Sequence, residues 1–210
     1  MKIHKIKSHA KINLNLNITG RLPNKKMHKV ESLISFIKLA DLIRISENKS
    51  NKHRIIFDGK FSKYIPKKNS VSKVLNLLDK KKYLKGKKYL FKITKNIPQK
   101  SGMGGGSMNA ASILKFFLKK KIINFNEAKI FARKTSSDVI LGLNNKAKIL
   151  YSDNSLKELN KSFFFYLVLI KPRFGCSTKK VYSQNKIFSK KQYFKKRKLL
   201  IDKKHIFRGK

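Results

Sequence analysis

The segment Pro98-Gln99-Lys100-Ser101-Gly102-Met103-Gly104-Gly105-Gly106-Ser107-Met108-Asn109-Ala110-Ala111 constrains this chain more than any other stretch. The apolar run Tyr89 to Thr94 reads as a strand that Pro98 ends, and Ala110 to Leu118 reads as a helix. The four glycines between them free the backbone to approach a ligand closely. Unpaired N–H groups at the helix start, and the positive end of its dipole, favour an anion, and Ser107 adds a hydroxyl. The spacing is neither that of a Walker A loop, which needs Gly-Lys-Ser/Thr, nor that of a GxGxxG dinucleotide loop. The segment reads as a phosphate-binding loop between a strand and a helix; a flexible glycine-rich connector is the alternative, against which stands the lack of charge in so lysine-rich a chain.

The loop also stands out electrostatically. Fifty-three Lys and Arg against ten Asp and Glu give a formal charge of +43, yet Lys115 is the only charge between Ser101 and Lys115. So large a charge raises the possibility of nucleic acid, since phosphate neutralisation releases counterions. The basic residues are 46 Lys and 7 Arg, however, spread over the whole chain, whereas base and phosphate readers favour the bidentate Arg. Abundant Lys, Asn, Ile and Phe fit A/T-rich codons better than selection for a polyanion, so no specific nucleic-acid partner is expected. A basic RNA-binding protein is the alternative from another class, but no RNP-type aromatic strand or arginine-rich stretch supports it.

With 40% hydrophobic residues over 210 positions the chain can bury a core and is not a disordered tail. The longest apolar run, Phe163 to Ile170, falls far short of the roughly 20 residues of a spanning helix, so no membrane partner is expected. Met1 to Lys7 lacks the apolar stretch of a secretory signal, which points to the cytoplasm. Cys176 is the single cysteine, which excludes an internal disulfide or a cysteine-built zinc site and predicts a small buried apolar group. His4, His9, His53 and His205 show no ligand spacing, and no protein-held metal is expected.

From Ala10 to Ile18 apolar residues alternate with Lys11, Asn13, Asn15 and Asn17, the pattern of a half-buried strand with one polar face. Gly20 to Asn24 reads as a turn. Val30 to Leu39, Leu42 to Ser46, His53 to Asp58, Ala147 to Tyr151 and Phe163 to Ile170 read as extended segments, the last ended by Pro172. Ser70 is a candidate N-cap for a helix running to Lys80 with Val71, Val74, Leu75 and Leu78 on one face, and Asn126 a candidate cap for a second running to Arg133.

Four segments in order resemble the GHMP kinase superfamily and, within it, the 4-diphosphocytidyl-2-C-methyl-D-erythritol kinases. They are Ala10-Lys11-Ile12-Asn13-Leu14-Asn15-Leu16 with Gly20, His28 in its turn, Ile97-Pro98 through Ala111, and Ser137-Asp138-Val139. A fifth, Val168 to Tyr182 with Pro172, Gly175, Thr178 and Tyr182, also looks like the family. The resemblance implies an α/β (α+β) fold: an N-terminal mixed-sheet domain over 1–150, then the start of a C-terminal α+β domain over 151–210. It implies transfer of the ATP γ-phosphate to the 2-hydroxyl of 4-diphosphocytidyl-2-C-methyl-D-erythritol, with Mg²⁺ arriving on the nucleotide. By similarity, residues 98–108 bind ATP, Asp138 accepts the hydroxyl proton, and Lys11 lies beside it. Asn13, Met27, His28 and Tyr182 would bind the second substrate, His28 hydrogen-bonding cytosine and Tyr182 stacking on it.

Three departures accompany the likeness. Met27 stands where the family usually has an aromatic, Ile140-Leu141-Gly142 replaces Pro and two aromatics, and Tyr151-Ser152-Asp153-Asn154 replaces a glycine-bearing segment. Weaker cytosine binding, another GHMP-type small-molecule substrate, or an inactive remnant are the readings these leave open. The family also continues past the match to Tyr182 into a second glycine-rich motif, and Lys190 to Lys210 holds one glycine and ten Lys or Arg. The 210-residue chain alone is therefore expected to be truncated, marginally stable and weakly active.

Overall fold

The computed structural model describes residues 2–21, 28–160, 166–170, 181–182, 184–185 and 187–193. Met27, Cys176, Pro172, Gly175, Thr178 and residues 22–24 of the expected turn lie outside them. The chain forms two compact units, Met1–Lys11 with Ile37–Asn145, and Ile12–Phe36 with Lys146–Lys210. Both are discontinuous in sequence, because two long strands, β1 (His4–Arg21) and β2 (His28–Asn48), each supply residues to both. The two extended segments read between Val30 and Ser46 are thus one strand, and the alternating segment from Ala10 lies within β1.

In the first unit, β3 (Arg54–Asp58) runs parallel to β4 (Lys88–Thr94), and β4 runs antiparallel to β2 with Leu42 opposite Thr94 and Asn48 opposite Lys88. Parallel neighbours need a crossover, and α1 (Ser70–Lys80) supplies it. The period-2 pattern then puts Ile43 and Ile45 of β2 and Tyr89, Phe91 and Ile93 of β4 into one core. α1 adds Val71, Val74, Leu75 and Leu78, the face read from the sequence. α2 (Gly105–Lys119) is buried almost all round, with Ile113, Leu114 and Phe117 fully enclosed. α3 (Phe125–Thr135) and a 3₁₀ turn (Val139–Leu143) complete the layer. Each enclosed Phe or Leu side chain contributes about 1.5–3 kcal/mol by burial, so this unit holds the larger core.

The helix starts differ from those read in sequence. Asn69, not Ser70, caps α1: its Oδ1 accepts from the Val71 and Ser72 N–H groups at 3.0 and 3.1 Å, and Ser72 Oγ accepts from the Asn69 N–H in return. Asn124, not Asn126, caps α3 through the Glu127 N–H at 3.0 Å, and Glu127 returns the contact. In both cases the reciprocal partner three residues on selects the cap. α2 begins at Gly105 rather than Ala110, because packing of its buried face outweighs the poor helix propensity of glycine.

In the second unit, β5 (Lys148–Leu150) pairs antiparallel with β2, Ser32 opposite Leu150, and with β6 (Leu156–Glu158). Tyr151 to Asn154 forms the hairpin turn, with Asn154 at φ +64° and the Asp153 carboxylate accepting from the Ser155 N–H and hydroxyl. Leu33, Ile149, Tyr151 and Tyr193 make a small core. The strand read from Phe163 to Ile170 is not formed over its described part: Tyr166 to Ile170 is non-regular, with Val168 85% and Ile170 88% exposed. An extended segment becomes a strand only where a neighbour takes its N–H and C=O groups, and among the described residues none pairs with it. No helix among the described residues is long and apolar enough to cross a membrane.

Candidate active site

β1 carries Lys11 into the first unit with its side chain only 8% exposed. Its backbone N–H donates to the Met103 carbonyl in the glycine loop at 3.1 Å, so strand and loop are tied at this residue. Its Nζ lies 3.8 Å from Asp138 Oδ2. Asp138 occupies the cap position of the 3₁₀ turn, but its side chain makes no capping bond. With 41% of that side chain exposed, the carboxylate faces Lys11 on one side and remains open to a ligand. An ion pair this exposed contributes little to stability, so its value lies in placing a carboxylate beside an ammonium.

The loop reaches α2 through three residues of positive φ, Lys100 (53°), Gly102 (73°) and Gly104 (67°). Ser101 Oγ donates to the Pro98 carbonyl at 2.7 Å, and the Gln99 amide donates to the Phe61 and Lys63 carbonyls, so the first half of the loop is fastened by its own polar side chains. Met103 packs with Ala10 and Ile97 beneath it. Gly104 caps α2 in the left-handed region, with no side-chain cap bond. A Cβ there would lie 3.1 Å from Lys11 Cγ, so a side chain on this residue would crowd the lysine. Where α1 and α3 spend their first N–H groups on Asn caps, α2 leaves those of Gly105, Gly106 and Ser107 without such a cap, the arrangement that receives an anion. Ser107 Oγ is 3.2 Å from Ser136 Oγ, which joins the helix start to the turn bearing Asp138.

In the second unit, the His28 and Tyr182 rings stack with centroids 5.6 Å apart, and Phe188 lies 6.5 Å from His28. His28 Nε2 is buried and has no hydrogen-bond partner among the described residues. Asn13 is exposed on β1. Asn15, on the same strand, is structural: Oδ1 accepts from the Leu33 N–H at 2.7 Å and Nδ2 donates to Tyr193 Oη at 2.5 Å.

The family profile described as GHMP kinases N terminal domain matches residues 69–145, which span α1, the glycine loop and Asp138. A Pelagibacter ubique protein named 4-diphosphocytidyl-2-C-methyl-D-erythritol kinase is 48% identical over 208 residues, 98% of this chain and 73% of that one. The chain belongs to this kinase family. The like-named protein of Thermoanaerobacter pseudethanolicus is 31% identical over 88% of this chain and 63% of its own. A crystal structure titled 4-(cytidine 5'-diphospho)-2C-methyl-D-erythritol kinase shares the fold at a TM-score of 0.59 and 22% identity, over 74% of this chain and 55% of that one. The chain thus spans about two thirds to three quarters of the length of these two relatives.

One departure from the 4-diphosphocytidyl-2-C-methyl-D-erythritol kinase pattern has a packing reason here. A Cβ at Gly142 would stand 2.7 Å from Ala111 Cβ and 2.8 Å from Met108 Sδ. Only glycine lets the turn that begins at Asp138 lie this close on α2. Sequence reasoning passed over Asp41, an acidic residue set between Leu39 and Leu42 in an apolar strand. One of ten acids in so basic a chain, placed at a core position, was the signal available. Among the described residues no three His, Cys, Asp or Glu side chains come close enough to hold a metal ion.

Proposed function

We propose that this chain transfers the γ-phosphoryl group of ATP to the 2-hydroxyl of 4-diphosphocytidyl-2-C-methyl-D-erythritol. The observation that carries the reading is the Lys11–Asp138 pair at 3.8 Å, in the same unit as a glycine loop whose Met103 carbonyl takes the Lys11 N–H. Phosphoryl transfer requires held phosphates, an aligned hydroxyl and neutralised charge, with little covalent work for the protein. The N–H groups at the start of α2 bind the nucleotide phosphates, in keeping with their lack of a side-chain cap. Asp138 accepts the hydroxyl proton as the oxygen attacks, and the Lys11 ammonium offsets charge on the transferring group and orients the carboxylate. Mg²⁺ comes with ATP, held chiefly by its phosphates, where it neutralises charge on them. In the second unit, His28 Nε2, which has no partner among the described residues, is suited to a polar edge of the cytosine ring, and Tyr182 supplies an aromatic face beside it.

A coupled ADP-release assay tests this. Turnover with 4-diphosphocytidyl-2-C-methyl-D-erythritol is expected, and Asp138→Asn lowers kcat at least ~10²-fold without changing the melting temperature. Turnover of homoserine or a mevalonate phosphate instead would refute the substrate, and near-wild-type kcat in Asp138→Asn would refute the role of the carboxylate.

A further inference from the structure

Asp41 is fully buried on β2, and both of its oxygens are saturated. Oδ1 accepts the backbone N–H groups of Asn96 and Ile97 at 2.8 and 2.9 Å. Oδ2 accepts from Lys95 Nζ and from Asn109 Nδ2, the latter at 3.0 Å. Asn96 and Ile97 lead out of β4 into Pro98 and the glycine loop, while Asn109 lies in the second turn of the helix that leaves it. One carboxylate therefore ties both ends of the loop. Lys95 is 4% exposed, and its Nζ would stand 3.3 Å from a Cβ on Gly105, directly under the first turn of α2.

We propose that Asp41 is a positioning residue for the nucleotide loop: it fixes the separation of the loop's two ends and holds the Lys95 ammonium beneath Gly105, where it adds positive charge to the phosphate cradle. The proposal rests on the reading that this loop binds the phosphates of ATP. A buried ion pair is weak evidence for stability, because apolar residues of similar size often stabilise a core as well or better. This one is expensive in particular: Asn109 Oδ1 is buried with no partner among the described residues. The ammonium also lies at the positive end of the α2 dipole, which disfavours it unless a carboxylate or a bound anion compensates. Such a network placed at the two ends of a ligand loop is explained by what it positions.

The test compares Asp41→Asn with the double variant Asp41→Leu/Lys95→Met, which removes both buried charges at similar volume. Asp41→Asn swaps one acceptor for a donor that faces other donors, and should raise KM for ATP at least tenfold while KM for the alcohol substrate stays within twofold. The double variant also leaves the Asn96, Ile97 and Asn109 donors without the carboxylate, so it is expected to fold but melt below the wild-type temperature, and to bind Mg·ATP at least tenfold more weakly by titration calorimetry. Double-variant binding equal to wild type, or failure of that variant to fold, would make Asp41 a structural residue and overturn the proposal. Amide exchange on the nucleotide-free protein separates this from the functional reading: Asn96 and Ile97 should be protected in wild type and unprotected in the double variant, which keeps no acceptor at position 41. Wild-type protein that binds no ATP would refute the loop's assignment, whereas protection of Asn96 and Ile97 persisting in the double variant would refute the clamp.

Discussion

Gly104 and Gly106, two residues apart, should respond oppositely to alanine. Gly104 has φ +67°, where an L side chain costs about 1–2 kcal/mol, and its Cβ would press on Lys11 Cγ at 3.1 Å. Gly106 has ordinary helical geometry with nothing within 4 Å of a Cβ, so alanine there gains up to about 1 kcal/mol of helix propensity. The two variants should therefore differ by about 2 kcal/mol. In a chain of this size that separates their melting temperatures by roughly 4–8 °C, Gly106→Ala at or above wild type and Gly104→Ala below it. Activity should not follow stability. The Gly106 methyl projects into the open space at the start of α2, where the nucleotide phosphates are proposed to lie, so Gly106→Ala gains stability and loses ATP affinity. Scanning calorimetry and nucleotide titration on the same samples give both readouts. If Gly106→Ala binds ATP like wild type, the first turn of α2 is not the phosphate cradle; if Gly104→Ala is as stable as Gly106→Ala, the steric argument at Lys11 fails.

The helix caps give a second contrast: Asn124→Ala should cost about 0.5–2 kcal/mol in denaturant unfolding because it breaks a reciprocal cap, whereas Asn126→Ala should be near neutral. A third prediction concerns acid. The His53 ring is 9% exposed, takes the Tyr89 N–H on Nδ1 at 3.0 Å and sets Nε2 3.1 Å from Asp79 Oδ2, so a neutral ring protonated on Nε2 suits both neighbours. Burial lowers its pKa below the ordinary 6.5, outweighing the upward pull of Asp79. The unfolded chain therefore takes up this proton first, and the stability that neutral His53 contributes is complete above about pH 6.5 and lost as pH falls through the folded value. His53→Gln should flatten the pH dependence of the melting temperature below about pH 6.5, and an unchanged slope would refute the assignment.

The sequence by itself determined the periodic elements and the chemistry of one loop. Val71, Val74, Leu75 and Leu78 face the core as their spacing requires, and β3, β4 and β5 fall where alternating runs stand, because local periodicity dictates which face an element can bury. The glycine loop was legible because its residue types differ so sharply from the lysine-rich chain around it. Caps shifted by one or two residues, from Ser70 to Asn69 and from Asn126 to Asn124, since several neighbouring polar residues can cap and only the reciprocal partner at the third helical position selects one. Tyr166 to Ile170 has the composition of a strand without being one, because a strand is a property of two segments and composition describes a single segment. The approach of Asp138 to Lys11, 127 positions apart, depends on Gly142 admitting a close turn against Met108 and Ala111. Asp41 illustrates the same limit: its charge was visible, but only the folded chain brings four donors, three from the segment just after β4 and one from α2, onto one carboxylate. Nothing local in β2 encodes those partners, which lie 54 to 68 residues further along the chain.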